Sequence, residues 1–225
     1  MTAQSEKPKS NTQVAFDEIR DLILTGELGA GSSHLESELA EMLGMSRTPV
    51  REAALMLEAQ GLLELRPRKG VRILPVSVDD MREIYGILTE LESLAAENAA
   101  SREHSDVDLG GLESSIREMD EAIAAPDLEA WALADQHFHS ELVRLGGNSR
   151  IVLIAAMMAA QVQRARATTL PMRVLPRQSN DDHRAVLEAI RRGDAEAARQ
   201  IHRAHRQRAQ KEIIGLLEKY RLHRL

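Results

Sequence analysis

One short stretch of the chain changes hydrophobic period, and that change constrains the fold more than any other feature. Residues 62–73, LLELRPRKGVRI, alternate through Leu63 and Leu65, turn between Arg66 and Gly70, and alternate again through Val71 and Ile73. Period two on both sides of a Gly-containing turn predicts a two-stranded hairpin. On either side of this stretch the period is helical. Val14, Ile19, Leu22 and Ile23 predict a helix over 14–25, stopped by Gly26. GELGAGSSH predicts a Gly-rich turn, and ESELAEML a second, short helix. RTPVREAALMLEAQG predicts a third helix, with Ser46 as its cap, Pro49 in its first turn and Gly61 at its close.

Three helices followed by a hairpin predict an N-terminal winged helix-turn-helix domain (α+β) over residues 12–74. Residues 1–11 read as a disordered lead without a hydrophobic signal region. Pro75 opens a linker over 75–79. Residues 80–220 then read as helices at 79–102, 106–124, 127–145, 149–169, 178–192 and 194–219, punctuated by Asp127, GGNS and RRGD. Six such helices predict a C-terminal all-α bundle. With two Phe, two Tyr and one Trp in 225 residues, its core must be aliphatic. The absence of cysteine excludes disulfides and thiolate chemistry. No apolar run reaches the ~18 residues of a membrane span, so a cytoplasmic protein without membrane contact is expected.

The net charge is −6, so nucleic-acid binding would require a local basic patch. The chain has one. The third helix presents Arg47, Thr48 and Arg51 near its start, and the hairpin gathers Arg66, Arg68, Lys69 and Arg72 around Gly70. Arginine suits bidentate contact with guanine or phosphate. A basic wing would position the protein on double-stranded DNA through salt-sensitive phosphate contacts.

The helical region carries a second pattern. Asp135 and His139 are four apart in WALADQHFHSEL, His183 lies in DDHRAVLEAI, and His205 in AARQIHRAHRQRAQ. Two ligands from one helix and one from each of two others is a known way to build a metal site inside a bundle. His137 sits between Asp135 and His139 but points elsewhere on the helix, His202 is three before His205 and could compete with it, and His34 and His104 have no partner pattern.

ELAEMLGMSRTPVREAALMLEAQGLLELRPRKGVRI resembles the N-terminal domain of the GntR family of bacterial transcriptional regulators, with Ser46 to Ala54 nearly unchanged. The resemblance implies that Arg47 and Arg51 contact the operator, with Thr48 nearby, and that Gly70 lets the wing approach the minor groove. Ser37 stands where the family often carries a DNA-contacting arginine. Residues 79–219 look like the helical effector domain of the FadR subfamily, the FCD domain, and six helices resemble its VanR-like group. This second resemblance implies Asp135, His139, His183 and His205 as ligands of a divalent metal, zinc first, with nickel, iron or manganese as alternatives. It also implies a small carboxylate effector, for which Arg164 and Arg166 are candidate contacts. Leu88 stands where the family commonly carries an arginine, so the effector is either less acidic or held by another arginine.

The expected function is that of a homodimeric DNA-binding regulator, a repressor, whose operator affinity responds to an organic acid at a metal-containing pocket. A regulator for which the metal itself is the signal is the alternative. A metal-free interaction bundle and an enzyme using the metal to activate water are the other classes. The enzyme reading leaves the N-terminal domain unexplained and finds no dedicated general base beside the ligands.

Overall fold

The computed structural model describes residues 9–221. These form two compact units, one running to Val76 and the other from Ser77.

The first unit contains α1 (Asn11–Thr25), β1 (Ser33–His34), α2 (Glu36–Met42), α3 (Arg47–Ala59), β2 (Leu63–Arg66) and β3 (Gly70–Ile73). α1 starts three residues before the expected Val14. The Ser10 side chain accepts the Gln13 N–H at 3.2 Å, and Lys9 pairs with Asp17 at 2.7 Å. The end of the expected lead therefore belongs to the fold, while its residues 1–8 lie outside the described residues. Ala15, Ile19 and Ile23 of α1 bury against Val50, Ala53 and Leu57 of α3 to make the core. Ser46 precedes α3 but makes no side-chain capping bond, contrary to expectation.

The wing is three-stranded, not two-stranded. The order is β1-β3-β2, antiparallel, with His34 opposite Val71 and Leu65 opposite Val71 on the other side. β1 has two residues, too few to display alternation in sequence. It accounts for Gly70: a Cβ there would lie 2.1 Å from the His34 carbonyl oxygen, and φ is +80°.

The second unit contains α4 (Val78–Ala100), α5 (Asp106–Ala124), α6 (Leu128–Leu145), α7 (Ser149–Thr169), a 3-10 turn (Leu170–Met172), α8 (Arg177–Arg191) and α9 (Ala195–Lys219). α4 is central and packs on α6, α7, α8 and α9. A mainly aliphatic core including Leu112, Met119, Leu142, Val186 and Ile190, joined by Trp131 and Phe138, fills one part of the bundle. Caps fix several starts. Asp127 accepts the Ala130 N–H at 2.9 Å, and Ser105 and Asp108 form a reciprocal capping box. Among the described residues no helix is long and apolar enough to cross a membrane.

Candidate metal centre and candidate nucleic-acid interface

On α6, Trp131, Asp135 and His139 follow at four-residue intervals and so share one face. The Trp131 indole N–H donates to Asn180 Oδ1 at 2.8 Å in the bundle interior. This bond sets α6 against α8 one turn from Asp135 and one turn from His183. α9 supplies His205 and α4 supplies Glu92, both buried.

The four residues the FCD resemblance implies converge. One ligating atom each from Asp135, His139, His183 and His205 lie within 4.8 Å of one another. Asp135 Oδ1 is 3.7 Å from His139 Nε2 and 3.6 Å from His183 Nε2. Asp135 Oδ1 and the Nε2 atoms of all three histidines are buried without a hydrogen-bond partner among the described residues. Each orphaned polar atom costs about 1–3 kcal/mol. Four of them facing one another fit a cation, whose bonds to such ligands are about 2.0–2.2 Å long. Three imidazoles and a carboxylate suit zinc, nickel, iron or manganese.

The surroundings support ligation. His205 Nδ1 is hydrogen-bonded to Asp182 Oδ2 at 3.3 Å. The Glu92 carboxylate lies 3.0 Å from His139 Nδ1, off hydrogen-bonding alignment. Carboxylates behind ligating histidines fix ring orientation and raise basicity. Burial, then the neighbouring histidines, push His183 and His205 well below the ordinary range, so both are neutral with a lone pair to offer. Burial opposes charge on His139, but Glu92 and Asp135 outweigh it and raise its pKa. Burial likewise opposes charge on Asp135, yet Arg166 and then His139 hold its pKa well below the usual carboxylate range.

Glu92 was not among the expected site residues. Its Oε2 lies 3.1 Å from His202 Nε2 and 3.4 Å from Arg206 Nε. Burial opposes its charge, but Arg206 and His139 keep its pKa well below normal. A carboxylate so engaged is a poor general base near neutral pH. Glu92, His139 and His202 could together also hold an ion, but an ion there would displace Glu92 from behind His139. His202, pushed down to about 4 by burial, is neutral. His137 is exposed and bonds Ser115 at 3.0 Å.

Of the two effector candidates, Arg166 is ion-paired with Asp135 Oδ2. Arg164 is also buried, but residues two apart on a helix differ by about 200° in direction, so the two face different sides. Leu88 is buried on α4.

In the first unit, Arg47, Thr48 and Arg51 are exposed at the start of α3. Glu36 lies 3.6 Å from Arg47 and 4.0 Å from Arg51, holding both guanidinium groups over one groove. The groove, about 620 Å³, runs between the starts of α2 and α3 and the wing, and Ser37 lines it. In the wing, Glu64 pairs with both Arg66 and Arg72. Arg68 and Lys69 are exposed at the tip without a carboxylate partner among the described residues, and Arg68 has φ +65°.

Comparison with known proteins follows this division. Residues 11–73 match the family described as "Bacterial regulatory proteins, gntR family", and residues 83–208 match the FCD domain. An "Uncharacterized HTH-type transcriptional regulator in unstable DNA locus" of Streptomyces ambofaciens is 30% identical over 88% of this chain and 82% of its own length. A "Probable D-xylose utilization operon transcriptional repressor" of Paenarthrobacter nicotinovorans is 31% identical over 86% of each. The solved structure of McbR/YncC from E. coli has the same fold, with a TM-score of 0.78 at 23% identity, covering 94% of this chain and 99% of that one. A putative GntR regulator from Rhodococcus sp. RHA1 gives 0.71 at 25% identity, covering 92% and 99%.

Proposed function

This chain belongs to the GntR family of bacterial transcriptional regulators, DNA-binding proteins and not enzymes, with an FCD domain as its helical unit, and from that premise we propose that it is a homodimeric repressor relieved by a small organic acid bound at a divalent metal. The observation that carries the proposal is the group of four buried, unpartnered ligand atoms on Asp135, His139, His183 and His205. Asp135 can serve two partners at once, Oδ1 toward the ion and Oδ2 toward Arg166. An octahedral ion held by four protein ligands keeps two positions for an effector carboxylate or water, whereas a tetrahedral zinc keeps none. Effector binding at the ion therefore requires a coordination number above four.

The test is operator affinity, measured by fluorescence anisotropy on DNA selected from a random library by the full-length protein. Metal-loaded protein should lose about 5–150-fold in affinity when a saturating carboxylic acid is added, and chelated protein should show no response to the acid. An affinity that follows metal but no acid would support the metal-signal alternative instead. An affinity indifferent to both would defeat the proposal.

The homodimer has its own support. In α7, IVLIAAMMAA contains no charge, and Val152, Leu153 and Met157 are exposed although their neighbour Ile151 is buried. A helix apolar all round is covered on both sides, and a second copy of the same uncharged face matches it. Replacing Leu153 and Met157 together with glutamate should leave folding intact, since both are exposed. It should halve the mass seen in sedimentation and weaken binding to two-fold operators. An unchanged mass would exclude this face as the dimer contact.

A further inference from the structure

A single exposed leucine needs no explanation on its own, but Leu35 stands where two costs fall on one residue. It is 46% exposed, and it lines the groove between the starts of α2 and α3 and the wing, together with Leu65, Pro67, Arg47 and Arg51. It is also the residue that caps α2. The Leu35 N–H donates to Glu38 Oε2 at 2.8 Å, which is one half of a reciprocal capping box. The other half needs a side-chain oxygen at position 35, and leucine has none. Leucine is among the residues least suited to this place, where serine, asparagine or aspartate would stabilise the helix. The folded chain therefore lacks a cap here and leaves apolar surface in water. A local rule broken without a compensating contact marks a residue used for something besides folding.

The surroundings of Leu35 indicate that use. Arg47 and Arg51 are exposed in the same groove, and Arg66 and Arg68 line its wing side. Such a cationic groove suits DNA, and proteins of this family bind DNA. A helix whose start is presented in this way enters the major groove. On the major-groove edges of the base pairs the groups are hydrogen-bond donors and acceptors, with one apolar exception, the C5 methyl of thymine. An apolar side chain there gains by covering that methyl group and loses by covering a polar edge. Ser37, which also lines the groove, can donate and accept, so it suits several bases and does not dictate one.

We propose that Leu35 is a specificity-determining residue of the DNA-reading surface, and that it covers the C5 methyl group of a thymine in the operator. The inference goes beyond the proposed repressor mechanism and needs neither the metal nor the effector.

The test uses the full-length protein and the DNA it selects from a random library. Each thymine of the selected site, with its symmetry mate where the site is two-fold, is replaced in turn by deoxyuridine. That base keeps the pairing and the O4 acceptor and lacks only the methyl group. Fluorescence anisotropy should find a thymine whose replacement weakens binding by about fourfold per half-site, the equivalent of one buried methyl group. Leu35→Ser and Leu35→Ala should bind the thymine and uracil duplexes equally, both about as weakly as the parent binds the uracil duplex. The two variants should differ in stability. Leu35→Ser completes the capping box and should melt about 2–4 °C above the parent, whereas Leu35→Ala should not. A protein that is more stable and yet reads its operator less well is the expected signature, and a leucine with a purely structural role would not produce it. If Leu35→Ser does not fold, Leu35→Ala decides. A selected site in which no thymine responds to uracil would overturn the proposal. Discrimination against uracil that survives in Leu35→Ala would overturn it too, because another side chain would then cover the methyl group. Neither result bears on the acid response of the metal-loaded protein, so this inference and the proposed function fail separately.

Discussion

Chelation is expected to lower the melting temperature of the protein by on the order of 10 °C, and His183→Ala is expected to abolish that response. An ion present at about a thousandfold over its dissociation constant stabilises the folded state by about 4 kcal/mol. In a unit of this size each kcal/mol moves the midpoint by about 2–4 °C. His183 is the suitable residue to remove because it is fully buried, both ring nitrogens lack a hydrogen-bond partner among the described residues, and its ring centroid lies 4.2 Å from that of Phe138 with the planes tilted by 36°. Truncation also leaves a cavity, which destabilises the variant whether or not metal is bound. The informative quantity is therefore the difference between melts with and without chelator, in which the cavity cost cancels. Metal per chain, read by elemental mass spectrometry, should fall from near one in the parent to below a tenth in the variant. A parent whose melt and metal content ignore chelation would show that the four orphaned atoms are satisfied in another way.

Much of this architecture is legible in the sequence because its helices carry long periodic stripes and explicit caps. α5 and α7 run over the residues their periodicity predicts. What escaped is short or non-periodic. β1 has two residues, and its only trace in the sequence is the glycine at position 70, whose side chain it excludes. Glu92 left a readable signal. It falls in the stripe of Tyr85, Leu88, Ala95 and Ala99 on α4, where an acid must be paired or cost heavily. Arg206 is harder to read, because it lies in the cation-rich run RQIHRAHRQR, where position alone does not say which arginine turns inward. Arg173 could not be read at all. It sits in a linking turn, and its burial follows from how that turn packs.

His205 is separable from His202 by resemblance and not by spacing, and the geometry shows why spacing is insufficient. His202 is as buried as His205 and one turn away on the same helix. What distinguishes them is the atom each one turns inward. His202 Nε2 is bonded to Glu92, whereas His205 Nε2 is left without a partner. His202 Nδ1 is orphaned as well, so the discriminating property is which orphaned nitrogen faces Asp135, His139 and His183, and that depends on residues from two other helices.

For the DNA-reading surface, Arg51→Ala and Lys69→Ala should fail in different ways. Arg51 lies beside Glu36 in the groove at the start of α3, exposed and held in position. A guanidinium placed there can read a guanine edge, and losing it should cost about 1–3 kcal/mol and relax base preference at one position of each half-site. Lys69 is at the wing tip, where Glu64 pairs with Arg66 and Arg72 but not with Lys69. Its loss should weaken binding to all sequences alike and reduce the slope of log affinity against log salt by about one per wing. On a chain of net charge −6, the rest of the surface repels DNA on average, so these few cations carry most of the salt dependence. The measurement is anisotropy on selected and scrambled duplexes across a salt series. If Arg51→Ala lowered affinity equally on both duplexes and Lys69→Ala changed only the selected one, the assignment of base reading to α3 and backbone contact to the wing would be reversed.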